Sequence, residues 1–270
     1  MALKLRLHTQ PDVPLEADCI SPDRLQSLSD SDISALTLFH GNRQVRLGDF
    51  FDCSGKFDGE VIVEGDLGNI KHIGSAMSLG KLTIEGDVGV HTGASMRGGE
   101  IIIEGNANDW LAPEMLGGRV IVKGNAGHMV GSGYRGSTVG MQGGEIIVHG
   151  NVKNETGHVI RRGLIVVGGN SGDFTGVNML AGTIIVLGEM GIRTGAGMKR
   201  GSIICQHKAD MLPTFSRSCV YQPAFLRHYF KYLKSIGFSI SDSLLTEPFE
   251  RWCGDSVELN RGEILLYTGK

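Results

Sequence analysis

The chain has few aromatic residues and no excess of basic charge. Aromatic side chains make up 6% of its 270 residues, and the formal net charge is −3. Nucleic-acid-binding domains usually carry a clear basic excess, so that function is not expected. No apolar run approaches the length of a membrane span, and no secretory signal is expected from the opening residues. The composition predicts a globular protein that binds neither nucleic acid nor membrane.

Cysteine is scarce and scattered. None of the five cysteines forms a Cys-x-x-Cys pair; they are Cys19, Cys53, Cys205, Cys219 and Cys253. An iron–sulfur cluster or a structural zinc site needs several clustered thiolates, so this chain alone is not expected to bind a metal. Widely separated cysteines, odd in number, favour a reducing cytoplasmic setting.

Glycine, in contrast, is abundant. The chain has 41 glycines, and they frame a unit that recurs mostly every 19 residues from Gly59 to about Gln206. Each unit holds a short β-branched run, as in Gly99-Glu-Ile-Ile-Ile-Glu-Gly105. A fixed period near 20 residues predicts stacked coils with one strand in each turn. We therefore expect an all-β solenoid, a parallel β-helix of about seven to eight coils with small α/β segments at both ends.

Equivalent positions of successive units form apolar columns. Two of them, two residues apart along the strand, should face the interior: Val61, Leu82, Ile101, Val120, Ile146, Ile165, Ile184 and Ile203, and Val63, Ile84, Ile103, Val122, Val148, Val167, Val186 and Cys205. A third column consists of Met77, Met96, Met115, Met141, Met179 and Met198, with Ile160 once in place of methionine. Because it repeats regularly, we interpret it as core rather than as a copper site.

The position between the two interior columns is also apolar, although it should face outwards. Its members are Ile62, Ile102, Ile121, Ile147, Val166, Ile185 and Ile204, with Thr83 the one polar member. A strand that is apolar on both faces is normally buried on both faces. Either the terminal segments of the chain or another protein should therefore cover this side.

A column of carboxylates follows the strands at Glu64, Glu85 and Glu104, with Lys123 next in line. Stacked carboxylates repel one another unless they are solvated or neutralised. A solvated ladder, a contact with a partner's Arg or Lys, and general acid and base catalysis all remain open for this column.

Residues 1–58 and 207–270 lack the repeat, which occupies residues 59–206. The first segment predicts a short helix beginning at Ser21-Pro22 and two strands around His40-Gly41-Asn42. In the last segment, apolar residues from Phe225 to Ile236 recur at helical spacing, with basic residues on the other side. We expect this amphipathic helix to cap the open end of the solenoid.

The unit from Gly118 to Gly144 is about seven residues longer than the others, and the extra residues lie between Gly131 and Met141. Insertions in repeat proteins often form binding loops. The contact candidates in this loop are Tyr134, Arg135, Ser137 and Thr138. We interpret the five histidines of the repeats as scattered, at different positions in their coils: His72, His91, His128, His149 and His158.

Several ordered motifs carry a resemblance that spans nearly the whole chain. They include Leu47-Gly-Asp-Phe-Phe51, Gly197-Met-Lys-Arg-Gly201 and Pro223-Ala-Phe-Leu226. With the glycine repeat, they resemble the C subunit of formylmethanofuran dehydrogenase and of the related formyltransferase/hydrolase complex. The repeat alone also resembles the C-terminal β-helix domain of glutamate synthase. The resemblance implies that the parallel β-helix is right-handed.

The resemblance implies a structural subunit without catalytic residues of its own. Its complex would convert formyl-tetrahydromethanopterin to formate through formyl-methanofuran, with amidohydrolase-like, formyltransferase and molybdopterin-oxidoreductase-like subunits as partners. The alternatives are the C subunit of a molybdenum or tungsten formylmethanofuran dehydrogenase, and a β-helix enzyme that acts alone on an acidic polymer. Whether this chain touches a cofactor stays open.

Methanofuran analogues implied by the resemblance carry a polyanionic glutamate tail. We expect the chain alone to bind no cofactor, but within a complex its basic groups could help to hold that tail. The candidates are Arg135, Arg161, Arg162, Arg193, Lys199 and Arg200.

Overall fold

The computed structural model describes residues 2–269, whose regular secondary structure consists mainly of strands. The strands are β1 (Leu3–Leu7), β2 (Leu15–Glu16), β3 (Thr37–His40), β4 (Arg43–Arg46), β5 (Phe51–Ser54), β6 (Glu60–Glu64), β7 (Ile70–Lys71), β8 (Lys81–Glu85), β9 (Glu100–Ile103), β10 (Arg119–Val122), β11 (Glu145–Val148), β12 (Leu164–Val167), β13 (Thr183–Val186), β14 (Arg200–Cys205), β15 (Ser216–Tyr221), β16 (Phe249–Gly254) and β17 (Arg261–Tyr267). The helices are α1 (Pro22–Leu25), α2 (Asp30–Ser34), α3 (Leu226–Ser235) and α4 (Ser243–Thr246), and a 3₁₀ turn spans Leu47–Asp49.

One large sheet organises the molecule. Its strand order is β15-β16-β17-β14-β13-β12-β11-β10-β9-β8-β6-β1-β5. The repeat strands within it are parallel and in register, so that Ile101 lies beside Leu82 on one side and Val120 on the other. β-branched side chains favour this extended backbone. The glycine-framed runs therefore form a mainly parallel sheet, as the sequence predicts.

A second ladder runs beside this sheet, with one bridge in each repeat. Parallel bridges join Leu67, Val88, Ala107, Ala126, Val152, Ser171 and Met190 in succession. Beyond it the chain turns sharply, and His72 and His91 both adopt the left-handed conformation with φ of 64°. Because each repeat touches the next through both ladders, equivalent residues lie above one another.

The three predicted core columns are confirmed. Every member of the two interior strand columns and of the methionine column is 0% exposed. Glycines are needed beside them where two backbones approach closely. A Cβ at Gly89, for example, would lie 2.2 Å from the carbonyl oxygen of Ile70.

The terminal segments extend the sheet at both ends. β1 pairs in parallel with β6, and β17 pairs in parallel with β14. Antiparallel strands then form the edges, β5 at one end and β16 and β15 at the other. In the first segment, α1 begins at Pro22 and the hairpin of β3 and β4 forms around Gly41, as predicted.

The predicted amphipathic helix exists, but its predicted position is wrong. α3 does not cap the end of the sheet; its buried residues Leu226, Phe230 and Leu233 lie on the outer face of β11–β14. The end position is taken by β17, whose backbone hydrogen bonds satisfy the open edge of β14. The apolar side of α3 therefore meets the outward-facing apolar row, part of which the chain covers itself.

Candidate functional site

Four basic side chains singled out from the sequence line one groove of about 370 Å³. The lining residues are Arg161, Arg162, Leu180, Ala181, Lys199, Arg200 and Leu259. The repeat explains how they meet. Arg161 and Lys199 lie two repeats apart at the same position, and the small Ala181 lies between Arg162 and Arg200. We call this site the basic groove.

Backbone hydrogen bonds between successive repeats hold the floor of the basic groove. The backbone N–H of Arg161 donates to the carbonyl of Met141 at 2.9 Å, and that of Lys199 donates to Met179 at 2.8 Å. Both methionines belong to the buried column. The corner is therefore fixed by the core behind it, and the basic side chains point away from that core.

The basic groove carries an uncompensated positive charge. Lys199 is paired with Glu258, with 3.8 Å between Nζ and Oε2. No carboxylate in the described part of the chain lies within 4.0 Å of a guanidinium nitrogen of Arg161, Arg162 or Arg200. Three neighbouring guanidinium groups without carboxylates favour an anionic ligand, since each can bind carboxylate oxygens in a bidentate manner.

The wall opposite the repeat is formed by Leu259, which is 50% exposed. Its loop is anchored by buried Asp255, which accepts hydrogen bonds from the backbone N–H of Gly197 at 2.9 Å and of Val257 at 3.0 Å. Burial alone would raise the pKa of Asp255, but these N–H groups and the side chain of Thr214 hold it below its usual value. The C-terminal loop is thus tied to the repeat that carries Lys199.

The longer loop contributes less to this site than the sequence suggests. Arg135 and Thr138 are exposed, and neither lines the basic groove. The hydroxyl of Ser137 donates to the carbonyl of Val139 at 3.0 Å. Arg193, the remaining basic candidate, lies over the ring of Phe174, with 5.2 Å from its Cζ to the ring centroid. The structure therefore gathers four of the nine candidates.

Tyr134 instead joins a cluster of rings that corrects the interpretation of the histidines. His72 and His91 stack with their centroids 4.8 Å apart, and Trp110 stacks on Tyr134 at 5.1 Å. The Tyr134 hydroxyl and Nδ1 of His91 are 3.2 Å apart. His72 and His91 are therefore not scattered: they and Trp110 are 19 residues apart in turn, an offset that could have revealed the column from the sequence.

Burial controls the protonation of this ring cluster. It lowers the pKa of His72 and His91, and the neighbouring imidazole lowers that of His91 further. Burial also raises the pKa of Tyr134 to about 12. Neutral imidazoles and a protonated phenol make this an apolar packing cluster that fixes the base of the longer loop.

The described residues present no cluster of side chains suited to bind a metal ion. Among residues 2–269, no group of three or more His, Cys, Asp or Glu residues could hold a metal ion. The basic groove pairs its arginines with apolar walls and has no histidine or carboxylate in its lining. The sequence analysis did not identify Leu180, Ala181 and Leu259 as residues of this site. The 19-residue offset from Arg161 and Arg162 could have identified the first two, whereas no sequence signal indicates Leu259. The arrangement can bind an anion and orient it.

The glycine-framed strands define a repeat protein whose repeats contact their neighbours through two ladders. A family model described as the GXGXG motif matches residues 70–221, more than half of the chain. The chain belongs to this family. No helix among the described residues is both long enough and apolar enough to cross a membrane.

Relatives with curated names match a shorter stretch. The C subunit of the tungsten-containing formylmethanofuran dehydrogenase 2 of Methanothermobacter thermautotrophicus is 41% identical over 87 residues, which are 30% of this chain and 32% of that protein. The C subunit of the molybdenum-containing formylmethanofuran dehydrogenase 1 of Methanothermobacter marburgensis is 40% identical over 80 residues, 29% of this chain and 20% of that protein. The chain thus spans about a third or less of the length of these relatives.

A solved structure matches over almost the full length. It is a chain in the crystal structure of the formyltransferase/hydrolase complex (FhcABCD) from Methylorubrum extorquens in complex with methylofuran. The TM-score is 0.90 at 30% sequence identity, and the alignment covers 98% of this chain and 100% of the other.

Proposed function

We propose that this chain is a non-catalytic structural subunit of a formyltransferase/hydrolase complex, equivalent to the C subunits of the relatives above. Such a complex would convert formyl-tetrahydromethanopterin to formate through formyl-methanofuran. The observation that carries the proposal is the full-length likeness to a chain of the FhcABCD complex.

We further propose that the parallel sheet and the bridge ladder wind into a right-handed parallel β-helix of seven to eight coils. Residues 59–206 would form this body, with residues 1–58 and 207–270 as flanking segments. In-register parallel pairing through successive repeats supports it. The free cysteines support a cytoplasmic location.

The basic groove gives this subunit a role beside the cofactor. In the complex, Arg161, Arg162 and Arg200 would hold carboxylates of the glutamate tail of a methanofuran analogue. The support is charge: three guanidinium groups line the groove without an ion pair to any described residue, and the nearby Glu258 pairs with Lys199 instead. Partners would include amidohydrolase-like, formyltransferase and molybdopterin-oxidoreductase-like subunits.

A dehydrogenase complex is the second candidate. The curated dehydrogenase relatives are about 40% identical over their matched stretch, a higher identity than that of the full-length structural match. Because that stretch is short, its identity supports a shared repeat more strongly than membership of the same complex.

The proposal is tested by purifying the tagged chain from its source cells and identifying the proteins that accompany it. Formate release from formyl-methanofuran by a complex without iron–sulfur subunits is the expected result. Recovery with iron–sulfur and molybdopterin subunits would instead establish the dehydrogenase, and a lone chain that is active would overturn both.

The role of the basic groove has a test of its own in the purified complex. The combined change Arg161→Ala, Arg162→Ala and Arg200→Ala should release the methanofuran analogue at a lower salt concentration, because salt screens the remaining contacts. Arg193→Ala is the matched control, since Arg193 lies over Phe174 rather than in the groove. Retention unchanged in the triple variant would refute the tail-binding role without affecting the proposed place of the chain in the complex.

A further inference from the structure

The outward-facing apolar row of the main sheet is covered along only half of its length. Its last repeat members, Ile147, Val166, Ile185 and Ile204, are at most 1% exposed because α3 and the residues after it pack on them. The earlier members, on β6 and β8–β10, are partly exposed, and the last of them also packs against the edge of the covered cluster: Ile62, Thr83, Ile102 and Ile121. We call these four residues the open row.

A partner could bury the open row without leaving a polar group of the row unpaired. Its one polar member, Thr83, donates a hydrogen bond to Oε1 of Glu60 at 2.7 Å, and Nζ of Lys81 lies 2.8 Å from the same oxygen. A cover would therefore leave the Thr83 hydroxyl paired, which removes the usual penalty for burying a polar group. The remaining three members are isoleucines, and their burial is favourable.

Along one side of the open row the charges neutralise one another. The Arg119 guanidinium lies 3.3 Å from Glu100 and 2.6 Å from Glu145, and Tyr232 of α3 donates to Glu145 at 2.5 Å. These pairs also connect the end of the open row to the helix that covers the neighbouring half.

Along the other side, two carboxylates make no close ion pair. Glu64 is paired with Lys4 at 2.7 Å. Lys4 and Lys81 attract Glu85 and Glu104, respectively, from a longer distance, and Lys123 follows Glu104 in the same column. Glu85 and Glu104 are exposed and form no ion pair within 4.0 Å with any described residue. They lie on neighbouring strands of a parallel sheet, about 4.8 Å apart by strand spacing. Two adjacent carboxylates repel each other, and a cation placed between them relieves that repulsion.

We propose that the open row binds an amphipathic helix of a partner protein in the complex, with Lys or Arg on the edge that faces Glu85 and Glu104. The four strands span about 14 Å, the length of a helix of about ten residues. α3 has ten residues and covers the continuing half of the same face. The partner helix would extend this existing layer. The inference rests on the proposed function as a subunit of a complex.

A second copy of this chain fits the open row less well than a partner of different composition. In a twofold dimer whose axis runs along the strands, Glu85 and Glu104 of one copy would meet the same carboxylates of the other, and like charges in an interface oppose association. In a dimer whose axis runs across the strands they would meet the flank of Lys81 and Arg119, whose charges are already neutralised by Glu60, Glu100 and Glu145.

Photo-crosslinking in the intact complex tests this directly. A benzophenone amino acid replaces Ile102 in the tagged chain, and the matched control places it at Ile192, which is 52% exposed away from the open row. The expected product joins position 102 to a partner segment with apolar residues at helical spacing and Lys or Arg beside them. An intact complex that gives no crosslink at 102, or one to another copy or to a segment without basic residues, overturns the inference alone. Recovery of the chain without partners overturns the proposed function as well.

A charge reversal gives a second readout. Glu85→Lys combined with Glu104→Lys should lower the yield of assembled complex at least tenfold, whereas Glu189→Lys, an exposed carboxylate elsewhere, should not. An unchanged thermal unfolding transition checks that the variants fold. Acidic substitutions of the crosslinked partner's basic residues should restore assembly. Normal assembly of the double variant would overturn the inference.

Discussion

The outer face of the main sheet has two halves that are nearly alike in sequence and unlike in structure. Ile102 on β9 and Ile185 on β13 occupy the same position in their repeats, between two interior residues. Ile185 is 0% exposed beneath the cover formed by the C-terminal segment, whereas Ile102 is partly exposed.

The difference shows that a repeat pattern determines which residues can face a cover but not what the cover is. The pattern arises from contacts within and between neighbouring repeats. The cover arises from residues distant in sequence, such as Phe230 against the apolar row. In the half without an internal cover, charged side chains lie along both sides of the apolar row. Those on one side form ion pairs with one another, and Glu85 and Glu104 lie on the other side.

Removing the cover of the buried half should have the largest effect. Phe230→Ala truncates a ring that is 1% exposed and lies 6.2 Å from the ring of Phe249. The free energy of unfolding should fall by about 3–5 kcal/mol, as for other buried aromatic truncations. Urea denaturation measures it, with Phe225→Ala, in the same region but 38% exposed, as the control. Equal losses in the two variants would contradict the role assigned to α3.

The matched pair Ile185→Ala and Ile102→Ala compares the two halves directly. In the chain by itself, Ile185→Ala should cost about 2–5 kcal/mol of unfolding free energy. Ile102→Ala should cost about 1 kcal/mol or less, because its side chain is only partly removed from water. Urea denaturation of both variants measures the two losses in unfolding free energy, and equal losses would mean that the two halves are equally packed. Within an assembled complex the proposed partner helix should bring the two values closer.

The smallest effect concerns the charged flank of the open row. The hydrogen bonds from Lys81 and Thr83 hold the pKa of Glu60 below its usual 4.5. Its stabilisation is therefore fully present above pH 4.5 and is lost as the pH falls through the folded-state pKa. Glu60→Gln should make stability less sensitive to acid, by less than about 1 kcal/mol for so exposed a pair. Unfolding curves between neutral and acidic pH measure this, with Glu189→Gln as the control. A variant with unchanged acid sensitivity would show that the pair contributes nothing.

The repeat made the core predictable residue by residue. Each interior column follows from the period and from strand alternation, and all its members are buried. The position of α3 was not predictable in the same way, because its apolar side fits either an end or a face of the sheet. β17 could have been anticipated, since Gly262-Glu-Ile-Leu-Leu266 repeats the pattern of Gly99-Glu-Ile-Ile-Ile103.

The candidate site was predictable only where the repeat carries it. All six basic candidates were selected by charge, and Arg135 also by its place in the longer loop. Arg161, Arg162, Lys199 and Arg200 meet because they share positions in repeats two apart, whereas Arg135 and Arg193 lie elsewhere. Leu259 closes the basic groove from a segment that has no repeat. Its place depends on the contact of Asp255 with Gly197, which no periodicity encodes.

The segment that covers the buried half is synthesised after the strands that it covers. Ile147 leaves the ribosome about eighty residues before Leu226, a delay of roughly 4–16 s at usual translation rates. Each repeat can pair with the preceding one as it emerges, but the apolar row on β11–β14 has to remain open to water or to a chaperone until α3 is made. The nascent chain therefore passes through a stage in which the whole outer row is exposed, and only its later half is closed by completing the polypeptide.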